Sequence, residues 1–280
     1  MTCLFPRRLL FGSAAVLVML LLPAVVKAIY VSPHAVFIDH ATRTGSVTLG
    51  NSTETAEEVT VELRFGFPDT DSSGTPFIRF IDDPDPSFPS AADWIRPFPR
   101  RVRLEPGDQQ VVRLLASPPD NLPDGEYWTR MIVTARGASV PIETGDTTVS
   151  AGVALEVRLI TSITYRKGEV HTGISLRNFS ASVIGDSIIA WVDASREGNA
   201  AYLGAAEFEL LDGEQRSVFE WATPVAVYYP ANRRFSFPIG SITPGSYQLR
   251  LALKAERADL LDGQVLPAPT VEDTVEVTVP

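Results

Sequence analysis

The chain has 280 residues, a formal net charge of −10, 22 prolines, 19 glycines and a single cysteine. A negative balance of that size repels polyphosphate and argues against nucleic acid as a partner. The many prolines and glycines stand mostly between short apolar runs, which is hostile to long helices and suits strands joined by turns.

In chain order, Arg7 and Arg8 precede an apolar run from Leu9 to Val26, closed by Val26-Lys27-Ala28, a small-residue pattern that a signal peptidase accepts. This spacing predicts a signal peptide over residues 1–28, export across the membrane and a mature start at Ile29. The alternative is an uncleaved anchor, because about 18 apolar residues are borderline for crossing a bilayer. Cys3 leaves with the leader, so the mature chain has no disulfide, thiolate zinc site or cysteine nucleophile. Arg7, Arg8 and Lys27 leave too, with no acid, which takes the charge from −10 to −13. Two domains of about 125 residues fit in what is left, each large enough to bury its own core.

Three patterns then occur twice in the same order. Val47-Thr48-Leu49-Gly50-Asn51 returns as Ile174-Ser175-Leu176-Arg177-Asn178, Leu104 to Gln109 as Leu210 to Gln215, and Leu122 to Tyr127 as Ile242 to Tyr247. The first reads as a strand turning at Asn, the second as a Gly-containing turn feeding a strand. In the third, Gly stands two residues before a Tyr that opens an apolar run, as in the tyrosine corner of immunoglobulin-like sandwiches. The expected fold is therefore all-β, with two immunoglobulin-like β-sandwich domains over 29–148 and 149–280 and equivalent corners at Tyr127 and Tyr247. Between Phe67 and Pro99 the first copy carries an insertion, expected to be an irregular excursion with a short edge strand at Phe77 to Ile81. Trp94 and Trp128 are expected in the core.

Residues Thr147 to Thr164 form one strand-like run with Val149, Ala151, Val153, Leu155, Val157 and Leu159 at its odd positions. Alternate side chains of a strand share a face, so the run presents an apolar edge ~36 Å long. Two ordinary strands, one closing each domain boundary, are the alternative.

The segment Pro97 to Arg113, with Val102-Arg103-Leu104-Glu105-Pro106-Gly107 leading into Gln110-Val111-Val112-Arg113, resembles that of periplasmic pilus chaperones of the chaperone–usher pathway. Val31-Ser32-Pro33, Val36-Phe37-Ile38, Ser46-Val47-Thr48-Leu49 and Leu122 to Tyr127 are similar too. The resemblance covers Ile29 to about Arg166. It implies donor-strand complementation, in which the last strand of the first domain lends alternate apolar side chains to an incomplete subunit. The implied donor residues are Val153, Leu155 and Val157. The implied partners are a secreted fibre or pilin-like subunit and an outer-membrane usher. The family's carboxylate anchors fall on Ala35 and Ser162, neither of them charged; either Arg158, Arg166 or Lys167 substitutes, or no carboxylate is bound.

No nucleophile elbow, phosphate loop or metalloprotease helix is present, so no enzyme activity, cofactor, metal or small-molecule substrate is expected. Asp39-His40 reads as a solvated pair. Asp69-Thr70-Asp71-Ser72-Ser73-Gly74 copies the opening of a calcium loop, but its twelfth position is Phe80, so an acidic loop held by turns is the stronger reading. The second functional class is a non-catalytic structural or adhesive module of the cell envelope.

Overall fold

The computed structural model describes residues 28–137, 156–240 and 242–280, so the leader lies outside the described residues. Every regular element among them is a strand. The first sandwich holds β1 (Ile29–Ser32), β2 (Ala35–Asp39), β3 (Thr44–Asn51), β4 (Glu57–Arg64), β7 (Ile95–Phe98), β8 (Arg101–Leu104), β9 (Gln109–Ala116), β10 (Gly125–Gly137) and β11 (Glu156–Lys167). A separate hairpin, β5 (Gly66–Thr70) and β6 (Pro76–Phe80), stands between β4 and β7. One sheet runs β1-β3-β9-β7 and the other β2-β11-β10-β4-β8. Period-two patterning sets which side is buried: in β9, Val112, Leu114 and Ala116 enter the core while Val111 and Leu115 face out. The chain changes sheet from β1 to β2 and again from β7 to β8. Both crossings occur at a proline with a cis peptide bond, Pro33 and Pro99, and a residue without an N–H interrupts a ladder there without leaving a donor unpaired.

The second sandwich comprises β12 (Thr172–Ile184), β13 (Ser187–Gly198), β14 (Tyr202–Leu211), β15 (Ser217–Val227), β16 (Ala231–Pro238), β17 (Gly245–Lys254) and β18 (Val271–Val279). Its sheets run β12-β13-β16 and β15-β14-β17-β18. Pairing makes β3, β9, β4 and β10 the counterparts of β13, β16, β14 and β17, the strand order of an immunoglobulin-like sandwich. Both corners form. Tyr127 donates its hydroxyl to the Pro123 carbonyl at 3.0 Å and Tyr247 to the Thr243 carbonyl at 2.8 Å, each at the start of the equivalent strand.

The fold class is as expected, yet only the third repeated pattern occupies equivalent positions. Val47 to Asn51 lies in β3 but Ile174 to Asn178 in β12, and the two Gly turns feed β9 and β15, which are not counterparts. Asn178 does not end a strand; it takes φ 54° at a bulge inside β12. The expected domain boundary at 148/149 lies outside the described residues. The next strand, β11, is hydrogen-bonded into the first sandwich, so Glu156 to Lys167 belong there and not to the second domain, whose first strand starts at Thr172. The insertion is more regular than expected: the strand near Phe77 has β5 as its partner.

Candidate functional site

Strand β11 pairs with β10 without a register break, from Gly125 opposite Lys167 to Arg136 opposite Glu156. On its other side β2 covers only Ser162 to Arg166. Among the described residues no strand pairs with that side of Glu156 to Thr161, a stretch of ~20 Å. The Ser162 amide donates to the His34 carbonyl at 3.2 Å, and the Arg166 carbonyl accepts from the His40 amide at 2.9 Å. Even-numbered residues of β11 thus turn their backbone groups toward β2, and those of Glu156, Arg158 and Ile160 face the open edge. Odd-numbered side chains point to the sandwich interior: Ile163 and Tyr165 are fully buried, Leu159 packs against the core and Val157 is half-buried. Ile160, on the other face, is 45% exposed.

Of the expected donor residues, Val157 lies on this open stretch opposite Ala135, whereas Val153 and Leu155 lie outside the described residues. Ala35 and Ser162 are direct register partners, so the two uncharged positions stand side by side. Arg158 is exposed and shares Glu156 with Arg136, each guanidinium 2.6 Å from the carboxylate. Hydrogen bonds from Arg136 and then Arg158 hold the Glu156 carboxyl below the usual range.

The other two cations are committed within the protein. Arg166 donates to the Glu126 carboxylate at 2.7 Å and to the carbonyls of Gly263 and Gln264 at 2.9 and 2.5 Å, while its guanidinium lies 4.6 Å from the Phe37 ring centre. Lys167 donates to the Leu122 carbonyl at 2.5 Å and stands 3.4 Å from Asp124. Arg166 thereby serves the contact between the sandwiches, whereas Lys167 holds the segment before β10 within the first. At the centre of that contact Phe65, Phe67 and Trp128 of the first sandwich pack on Ala201 and Tyr228 of the second. Trp128 is therefore buried in the joint, not in the first core, whereas Trp94 packs against that core. Glu126 also accepts from Trp128 Nε1 at 3.2 Å and from the Ala201 amide at 2.9 Å. Sequence reasoning missed Glu126, although a carboxylate between the corner Gly and Tyr, at the head of a strand rich in buried side chains, signals a buried and partnered charge.

The remaining candidates hold turns and contacts. Asp39 accepts from the Ala41 amide, His40 meets the Tyr165 hydroxyl at 2.5 Å, and His34 reaches Asp259 of the second sandwich at 3.0 Å. Asp71 accepts from Ser73 and Thr75, which holds its carboxyl low and closes the loop as a turn. Among the described residues no group of three His, Cys, Asp or Glu could hold a metal ion.

No protein-family model matches the chain, and no curated protein matches it. Solved structures to which it is similar include several chaperones. The YadV chaperone is 13% identical at a TM-score of 0.45, over 88% of this chain and 99% of that one. The E. coli chaperone DraB is 13% identical at 0.39, over 80% and 89%. The chaperone–tip subunit complex of CsuC and CsuE, from archaic chaperone–usher Csu pili of Acinetobacter baumannii, is 16% identical at 0.39, over 75% and 90%.

Proposed function

We propose that the protein is a periplasmic chaperone that captures a secreted fibre or pilin-like subunit by strand addition along β11. The observation that carries this reading is the open edge from Glu156 to Thr161, whose backbone groups can continue a ladder beside the inward-facing Val157 and Leu159. Main-chain pairing supplies affinity and alternate side chains supply fit. Val153 and Leu155 extend the same parity. Arg158 is the cation free to meet a subunit carboxylate, since its exposed pairing with Glu156 contributes little and exchanges readily. An outer-membrane usher would receive the loaded complex.

The test is recovery of a bound subunit from the native periplasm. Wild-type protein is expected to co-purify with one, and Leu155→Glu to lose it while unfolding at the same urea concentration as wild type. Equal recovery by the variant, or none by wild type, would sink the reading. In that case the uncharged pair Ala35 and Ser162 favours the structural or adhesive envelope module.

A further inference from the structure

We infer that the β5–β6 hairpin is a brace that fixes the angle between the two sandwiches. It continues beyond the end of β4 and lies against the second sandwich at three levels. At its base the Phe67 ring packs on Tyr229, with centres 4.4 Å apart. Midway, Thr70 donates its hydroxyl to the Asn232 carbonyl of β16 at 2.7 Å. At the tip, Gly74 meets Arg234 so closely that a Cβ on Gly74 would stand 2.2 Å from the Arg234 Cβ. Gly74 also has φ 78°, which a glycine adopts without cost.

The hairpin is itself stiffened. The Asp71 carboxylate closes the tip through Ser73 and Thr75, and Arg79 bridges back to Asp69 across the pair. Its root is tied to the joint, where Arg130 donates to the Gly66 carbonyl at 3.0 Å while its guanidinium lies over Tyr228. A second crossing comes from the other domain: the loop between β17 and β18 gives the Gly263 and Gln264 carbonyls to Arg166 and Asp259 to His34. With each sandwich reaching onto its neighbour, rotation about the short link between β11 and β12 must break contacts of both. The inference concerns the free protein and stands or falls independently of any subunit.

The test measures the distance between spin labels at Ser46→Cys and Thr278→Cys, exposed positions of the two sandwiches, in a Cys3→Ser background of the full chain. Wild type is expected to give one narrow distance. Gly74→Ala should move at least half of the population away from it. Adding Arg234→Gly should restore most of that population, because the nearest remaining atom to the new Cβ is 3.1 Å away. Gly107→Ala controls for backbone strain alone: φ is 84° there and nothing lies within 4 Å of its Cβ position, so the distance should stay unchanged. Should Gly74→Ala not fold, replacing residues 70–76 by Gly-Asn-Gly removes the contact and must broaden the distribution. A broad wild-type distribution, an unchanged one in the tip variants, or equal broadening by Gly107→Ala overturns the inference.

Discussion

Glu126 ties together parts of the structure that lie far apart in the chain. Its carboxylate is 1% exposed, takes donors from Arg166, Trp128 and Ala201, and so joins both sandwiches and the end of β11. Removing one partner of a buried pair leaves the other uncompensated, a cost of about 3–5 kcal/mol. Glu126→Ala is expected to lose that much in urea unfolding, whereas Tyr127→Phe, which deletes a single hydrogen bond to Pro123, should lose about 1 kcal/mol. Alkali acts at two other residues. Burial pushes the phenols of Tyr202 and Tyr229 up to about 12, and neither hydroxyl has a partner. Folded, they stay neutral where an unfolded tyrosine ionises, near 10. Stability is therefore complete below pH 10 and falls as the pH rises toward 12. The share of tyrosinate absorbance that Tyr202→Phe and Tyr229→Phe remove should appear together with loss of folded signal, not before it.

At the scale of the element, β11 has two unlike halves. The amides of Leu159 and Thr161 point to β10, while those of Arg158 and Ile160 point into solvent and that of Ser162 is held by His34. Residue-resolved hydrogen exchange should show fast exchange at Arg158 and Ile160 between slow neighbours, and a bound strand should abolish the alternation; uniform protection in the free protein would mean that the edge is covered. The alternation was readable in the sequence because period two is a local property. So was the corner, since Gly125 and Tyr127 stand in one short segment with their acceptor. The division into domains was not, because whether a strand closes one sandwich or opens the next depends on partners far away: Glu156 sits beside Arg136, and Ser162 beside Ala35. The joint was hidden for the same reason. Phe65, Phe67, Trp128, Ala201 and Tyr228 share no spacing, and each alone reads as ordinary core. The repeated Gly turns misled because a turn word records local backbone shape and not which strands it links.

The whole molecule is two separate cores with a third, smaller one between them. That third core draws on both domains, and this has a consequence in time. A chain grows from its N-terminus at roughly 5–20 residues per second, and domains fold as they emerge. Once Lys167 is out, the first sandwich has every strand it needs. Its Phe65, Phe67 and Trp128, however, still lack Ala201 and Tyr228, and Arg166 lacks the carbonyls of Gly263 and Gln264. The interval is about 100 residues long, which at that rate of synthesis is ~5–20 s of exposed aromatic surface. A fragment ending near residue 170 should accordingly fold, bind an apolar dye that the full chain ignores, and precipitate at lower concentration. In the intact protein the same surface is covered by residues that come later in the chain, so the first sandwich passes through an aggregation-prone stage until the second has closed over it.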